Sequence, residues 1–150
     1  MTRRSHFLIF NVVAASTPAA LLIEKLVRRF LLPPEMEDLR EWLRPQLAPV
    51  AWALVVLAVA AVGLAFRLQG RIYSYALATK KAAAAPEARR VEHARLETLL
   101  LATSVPQLPA LLATIAFTFG ADALPCLAAV AVGTLGVVAQ WPALQRLGRS

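Results

Sequence analysis

The sequence predicts an all-α membrane protein in which four transmembrane helices form two hairpins. Apolar residues make up 59% of the 150-residue chain, charged residues make up 17%, and the mean hydropathy is +0.60. A soluble domain is typically about 45–50% apolar and about a quarter charged. The apolar residues collect in four runs without any charged side chain, and the basic residues are divided unevenly among the segments between those runs.

The four uncharged runs have the length of membrane spans. About 20 mostly apolar residues cross roughly 30 Å of hydrocarbon at 1.5 Å per residue. Three runs have 22 to 24 residues, and the shortest, with 17, reaches further if the long basic side chains after it extend to the headgroups. The runs are Phe7–Ile23, Pro45–Phe66, Thr98–Ala121 and Ala123–Gln145. We expect one membrane domain with spans over residues 7–31, 47–66, 98–120 and 123–144.

The first run could also be a signal peptide, because Arg3 and Arg4 precede it and an Ala-Ala-Ser stretch lies within it. Its apolar stretch is longer than the usual 7–15 residues of such a peptide. We therefore expect it to be retained as a span.

The basic residues predict the orientation, because Lys and Arg are retained on the cytoplasmic side of a membrane. With the N-terminus inside, the inner segments hold eleven Lys and Arg and the outer segments hold five. Five acidic residues balance those outer bases. We expect both termini in the cytoplasm of a bacterial-type inner membrane. The net charge of +7 is then explained by topology, and nucleic acid is not an expected partner.

Two segments outside the spans have features of their own. Residues 34–44 place Met36, Leu39, Trp42 and Leu43 on one helical face, which predicts a short amphipathic helix on the outer surface. A solvated charged loop is the alternative. Residues 67–97 are helix-prone on both sides of Pro86, which predicts a cytoplasmic helical hairpin. Its bases would meet anionic lipid headgroups, whether it docks a partner or only connects two spans.

A weak internal repeat supports the grouping into two hairpins. At an offset of 88, three small residues of the first span have identical counterparts in the third. Parallel repeats of this kind occur in transporters, although chance is an equal explanation in so biased a composition.

Polar residues and prolines inside the spans are the candidate functional residues, because polar groups at membrane depth are expensive. A possible mid-membrane polar site comprises Ser16, Thr17, Ser104 and Gln107. Prolines in a span free backbone carbonyls and can bend the helix; the predicted helix breaks are Pro18, Pro106 and Pro109. Plain hydrogen bonding between helices is the alternative for the polar residues, and simple bends for the prolines.

Small residues and one ion pair complete the predicted features. Helices in lipid pack through small side chains, and the expected packing positions are Ala110, Thr114, Ala129 and Gly133. Glu24 lies at the outer boundary with Arg28 four residues on, which predicts an outer ion pair.

Catalysis is not expected from this sequence. One cysteine and two histidines do not provide the three or four clustered ligands of a metal enzyme, and no nucleophile has a base at a suitable spacing. We expect no metal, cofactor or catalytic residue. The leading hypothesis is a small non-catalytic subunit or scaffold of a membrane complex, associated with a partner or with itself. The alternative is an oligomeric small transporter or channel with a polar site around Gln107, between spans one and three.

Overall fold

A computed structural model describes residues 3–31, 33, 35–81 and 87–146 of the chain. These residues form four helices: α1 (Arg3–Leu31), α2 (Glu35–Lys81), α3 (Glu87–Thr118) and α4 (Ala123–Arg146). Each helix is long and apolar enough to cross a membrane. The predicted all-α architecture with four potential spans is thereby confirmed, and it is the architecture of a multi-pass membrane protein.

The 47 residues of α2 differ from the predicted pattern in one respect. Residues 35–44 are helical as expected, but the helix continues through Pro45 and Pro49 into the second span without a break. The segment is therefore the first part of a long helix and not a separate surface helix. In this segment Arg40 is buried within the protein, while Leu39 and Trp42 are exposed.

The predicted cytoplasmic hairpin corresponds to two helical extensions. The helix of the second span continues to Lys81, and α3 begins at Glu87, before the apolar run of the third span. The segment between these two extensions, including Pro86, lies outside the described residues. Both arms are thus continuous with membrane helices, in agreement with the high helix propensity of their Ala, Leu, Glu, Arg and Lys residues.

The helices are arranged around the α3–α4 pair. In the described part of the chain α2 packs against both α3 and α4, and α1 also packs against both, but α1 and α2 do not touch. The first two helices therefore lie on opposite sides of the central pair. In the described residues each of these two helices packs on α3 and α4.

Small side chains form much of the core. One cluster joins α2, α3 and α4 near the α3–α4 turn and consists of Ala51, Leu54, Ala113, Ala116, Ala121, Cys126 and Ala129. A second cluster joins α1, α3 and α4 near the other end and consists of Phe10, Ala14, Leu99 and Val137. Small side chains let helix backbones approach closely. In lipid the hydrophobic effect does not drive helices together, and such close packing stabilises their association instead.

The turn between α3 and α4 explains the end of α3. Gly120 has φ of 108°, a conformation that costs residues with a Cβ considerably more than glycine. Its N–H bonds to the carbonyl of Phe117, and the N–H of Ala121 bonds to the carbonyl of Ala116. These two bonds are the Schellman pattern of a helix C-terminus. The turn then packs on α2, where a Cβ at Gly120 would lie 2.6 Å from the carbonyl oxygen of Arg40.

Charged groups at the two ends of the core are separated by about the thickness of a bilayer. Arg44 of α2 pairs with Asp122 in the α3–α4 turn at 2.7 Å. The next charged residue of α2 is Arg67, about 35 Å further along the helix at 1.5 Å per residue. This length matches a hydrocarbon layer of roughly 30 Å crossed at a modest tilt.

Candidate functional site

The carbonyl of Val13 on α1 is the point where the predicted polar residues meet. The side-chain amide of Gln107 on α3 donates a hydrogen bond to this carbonyl. The hydroxyl of Ser16 donates to the same oxygen at 2.7 Å. Two of the four predicted polar residues therefore converge on one backbone atom, and Gln107 connects α3 to α1.

Pro18 frees a backbone carbonyl next to this contact, although not the carbonyl of Val13 itself. Its ring removes the N–H that would bond to the carbonyl of Ala14, one residue after Val13. Side chains commonly satisfy the backbone groups that a proline loosens in a membrane helix. Pro106 and Pro109 lie inside α3 on either side of Gln107. The prolines and the polar contact thus occupy the same layer of the bundle.

The other two predicted polar residues behave differently from each other. Ser104 is exposed, and its hydroxyl donates to the carbonyl of Leu101 in its own helix at 2.8 Å. Thr17 is only 1% exposed, and its hydroxyl has no hydrogen-bond partner in the structure. Thr17 therefore belongs to the interior layer, whereas Ser104 does not.

Thr134 on α4 extends this layer and was missed from the sequence. The rings of Phe10 and Trp141 lie 4.5 Å apart, and Ala14 and Val137 share a cluster with Phe10. Because α1 and α4 are antiparallel in this register, one further turn brings Thr17 level with Thr134. The buried hydroxyl of Thr134 also lacks a partner. Periodicity could not identify it, because its role depends on the pairing of α1 with α4.

The predicted packing residues lie where α3 and α4 meet. Ala110 and Ala129 are completely buried, Thr114 is 7% exposed, and Gly133 is buried. A Cβ at Gly133 would lie 2.8 Å from the carbonyl oxygen of Pro106 and 3.0 Å from the Cβ of Ala110. The backbone of α4 therefore touches α3 directly at the level of Gln107.

A second polar layer, also missed from the sequence, lies between α2 and α4. Gln69 is 3% exposed and Gln140 is fully buried. The amide of Gln69 donates to the backbone carbonyl of Gln140 at 3.5 Å, while the side-chain oxygen and nitrogen of Gln140 have no partner. Both glutamines lie near the ends of apolar runs, which gave no reason to expect burial.

Arg40 is the buried charged group of the opposite end. Its guanidinium donates to the carbonyl of Phe117 at 3.3 Å and lies 3.5 Å from the carboxylate of Glu37. A cation beside the last carbonyls of α3 interacts favourably with the helix dipole. Arg40 thus fixes the start of α2 on the α3–α4 turn. Its partner is 77 residues away, so the sequence alone did not reveal this role.

The predicted outer ion pair stays a prediction. Glu24 is half-buried, and the side chain of Arg28 lies outside those that the structure describes.

The central layer joins α1 to α3 through a side-chain amide and a backbone carbonyl. That layer consists of hydroxyls, one amide and backbone carbonyls, all of them neutral. Within the described residues, no three His, Cys, Asp or Glu side chains lie together as a metal site would require. Comparisons with protein-family models, with curated proteins and with solved structures find no match to this chain.

Proposed function

We propose that this protein is a small non-catalytic subunit or scaffold of a larger integral membrane complex. Its α3–α4 pair forms the internal support, and the outer faces of its helices pack against membrane helices of a partner. The observation that carries the proposal is the hydrogen bond from Gln107 to the carbonyl of Val13. The one amide near the middle of α3 is committed to joining two helices, as in a structural element.

The remaining polar groups of α3 support the same interpretation. The hydroxyls of Thr98, Thr103, Thr114 and Thr118 each donate to the carbonyl four residues earlier in the same helix. Ser104 bonds within α3 as well. These hydroxyls therefore do not present a row of free donors to a solute pathway.

The outer faces of α1 provide the surface for a partner. Val12, Leu22 and Leu26 are between 57% and 69% exposed. Since α1 contacts the bundle through a single face, most of its apolar surface is available to helices of another protein. Such contacts in lipid depend on shape and on small or polar side chains, because the lipid is equally apolar.

The test is to place a photo-crosslinking residue at Leu22, on the exposed face of α1, and at Leu57, on an exposed face of α2, in cells that make the protein at native abundance. We expect a crosslink to one membrane protein at a fixed ratio from at least one position, and co-purification of that protein in mild detergent. Crosslinks to lipid alone at both positions, together with purification as a single chain or homo-oligomer, would contradict the proposal.

A small oligomeric transporter is the second candidate. The hydroxyls of Thr17 and Thr134 favour it, because they are buried without a partner in the same layer as Gln107. Reconstituted vesicles distinguish the two functions. Solute flux that is lost in Gln107→Leu, with assembly and stability retained, would support transport and contradict the purely structural role.

A further inference from the structure

The arginines at the two ends of α2 differ in their ion pairing. Near the start of the helix, Arg40 pairs with Glu37 and with the end of α3, and Arg44 pairs with Asp122. At the other end of the apolar run, Arg67 and Arg71 are exposed, and neither makes an ion pair with any described residue. Within the described residues, one pair of arginines is neutralised and the other pair is not.

Neutralisation from within the same helix is not available to the second pair. Residues 42–86 contain no Asp or Glu, so α2 carries no carboxylate after Glu41. Arg67 and Arg71 are four residues apart and therefore lie above one another on the helix surface, where like charges repel each other. An anion placed between them would relieve this repulsion and bind both guanidinium groups.

The surface around the pair faces away from the bundle. Ala65, Gln69 and Ala76 are the buried positions on this part of α2, and Gln69 contacts α4. Gly63 and Gly70 are exposed beside the arginines, and a Cβ at either would meet nothing within 4 Å. The missing side chains leave open space on both sides of Arg67.

We propose that Arg67 and Arg71 bind the phosphate of an anionic phospholipid, whose acyl chain lies along α2 over Gly63. Arginine binds phosphate through two parallel N–H donors, which makes this pair suited to a phosphodiester. The site directly follows the apolar run, at the depth of lipid headgroups.

The apolar surface next to the arginines selects a lipid over a free phosphate ion. Val56, Val59 and Leu64 are between 49% and 70% exposed on the same stretch of α2. An acyl chain that contacts these side chains and the backbone at Gly63 adds binding surface that an inorganic ion does not use. Tyr75, which is 75% exposed four residues after Arg71, is placed to donate a hydrogen bond to the headgroup.

Native mass spectrometry of the full chain in a mild detergent tests the site, with phosphatidylglycerol and phosphatidylcholine as probes. We expect phosphatidylglycerol to bind at least tenfold more tightly. The double variant Arg67→Gln, Arg71→Gln should remove this preference. The matched control Arg44→Gln, at the opposite end of α2, should retain it. Equal binding of both lipids by the wild type, or an unchanged preference in the double variant, would overturn the proposal.

Two further measurements keep the test independent of folding and of lipid source. Gly63→Leu adds a side chain where space is open, so it should fold normally and weaken phosphatidylglycerol binding several-fold through the blocked acyl-chain path. Unchanged binding would overturn the placement of the acyl chain. Inorganic phosphate at millimolar concentration should not displace the lipid. Complete displacement would show a simple anion site and contradict lipid binding.

Discussion

The side-chain amide of Gln107 on α3 donates a hydrogen bond to the backbone carbonyl of Val13 on α1, where Ser16 also donates. This contact is a polar link between α1 and the central pair of helices. It lies in the layer where Pro18 interrupts the backbone hydrogen bonds of α1. Its loss should weaken the attachment of α1 more than the fold of the remaining helices.

Gln107→Leu is therefore expected to destabilise the bundle by about 0.6–2 kcal/mol, the usual range for a hydrogen bond between membrane helices. Reversible unfolding in mixed micelles measures the change. Ser104→Ala is the matched control, because the exposed Ser104 bonds only within its own helix. Equal effects of the two substitutions would show that the link to Val13 contributes nothing.

Gly133→Val tests the contact between α3 and α4. A Cβ at this position would lie 2.8 Å from the carbonyl oxygen of Pro106, so the helices must separate. Overpacking of this kind typically costs about 1–3 kcal/mol. Gly63→Val is the control, since a Cβ there meets nothing within 4 Å. In one detergent, Gly133→Val should have a clearly lower melting temperature than Gly63→Val. If Gly133→Val has the melting temperature of the wild type, the close approach of α3 and α4 is wrong.

Gly120→Ala tests the turn that connects these helices. The substitution places a Cβ on a residue with φ of 108° and within 2.6 Å of the carbonyl of Arg40. We expect a loss of at least about 1 kcal/mol. The control is Gly70→Ala in the open part of α2, which should be neutral or stabilising because alanine favours helix. The same unfolding assay would contradict the turn geometry if both substitutions stabilise the protein.

Gln140→Leu is expected to be neutral or stabilising, although the residue is fully buried. Both side-chain polar atoms of Gln140 lack a partner, and burying an unsatisfied amide costs free energy. The bond from Gln69 ends on the backbone carbonyl of Gln140, so it survives the substitution. Leu99→Ala, which removes buried volume from the neighbouring cluster, should destabilise in the same assay. A large loss in Gln140→Leu would mean that the amide has a partner.

The sequence predicted the number of helices and their approximate spans because lipid requires long apolar segments, and such segments are visible as uncharged runs. Gln107 and Gly133 were singled out as candidates because polar and small residues are conspicuous within those runs. The central position of the α3–α4 pair could not be predicted, since it depends on which faces fit together. The same reason hid the buried hydroxyl of Thr134 and the burial of Gln140, because both depend on the partners of α4.

The start of α2 shows a different limit of prediction from the sequence. The spacing of Leu39 and Trp42 indicated an apolar face, and residues 34–44 were expected to form a helix separate from the second span. In the structure α2 is continuous and Arg40 occupies the buried position, because it meets the carbonyl end of α3. A local pattern of apolar residues gives no information about a partner that lies 77 residues away in the sequence.

The most direct test of four membrane crossings is the accessibility of single cysteines to a membrane-impermeant maleimide. Cys126→Ala removes the single native cysteine. One new cysteine is then introduced per variant, as Ser5→Cys, Asp38→Cys or Ser150→Cys, and its labelling shows on which side of the membrane that position lies. We predict that intact cells label Asp38→Cys alone, and that the two terminal positions react only after the membrane is opened. Labelling of Ser5→Cys and Ser150→Cys on opposite sides, or of all three positions on one side, would contradict the four-span account.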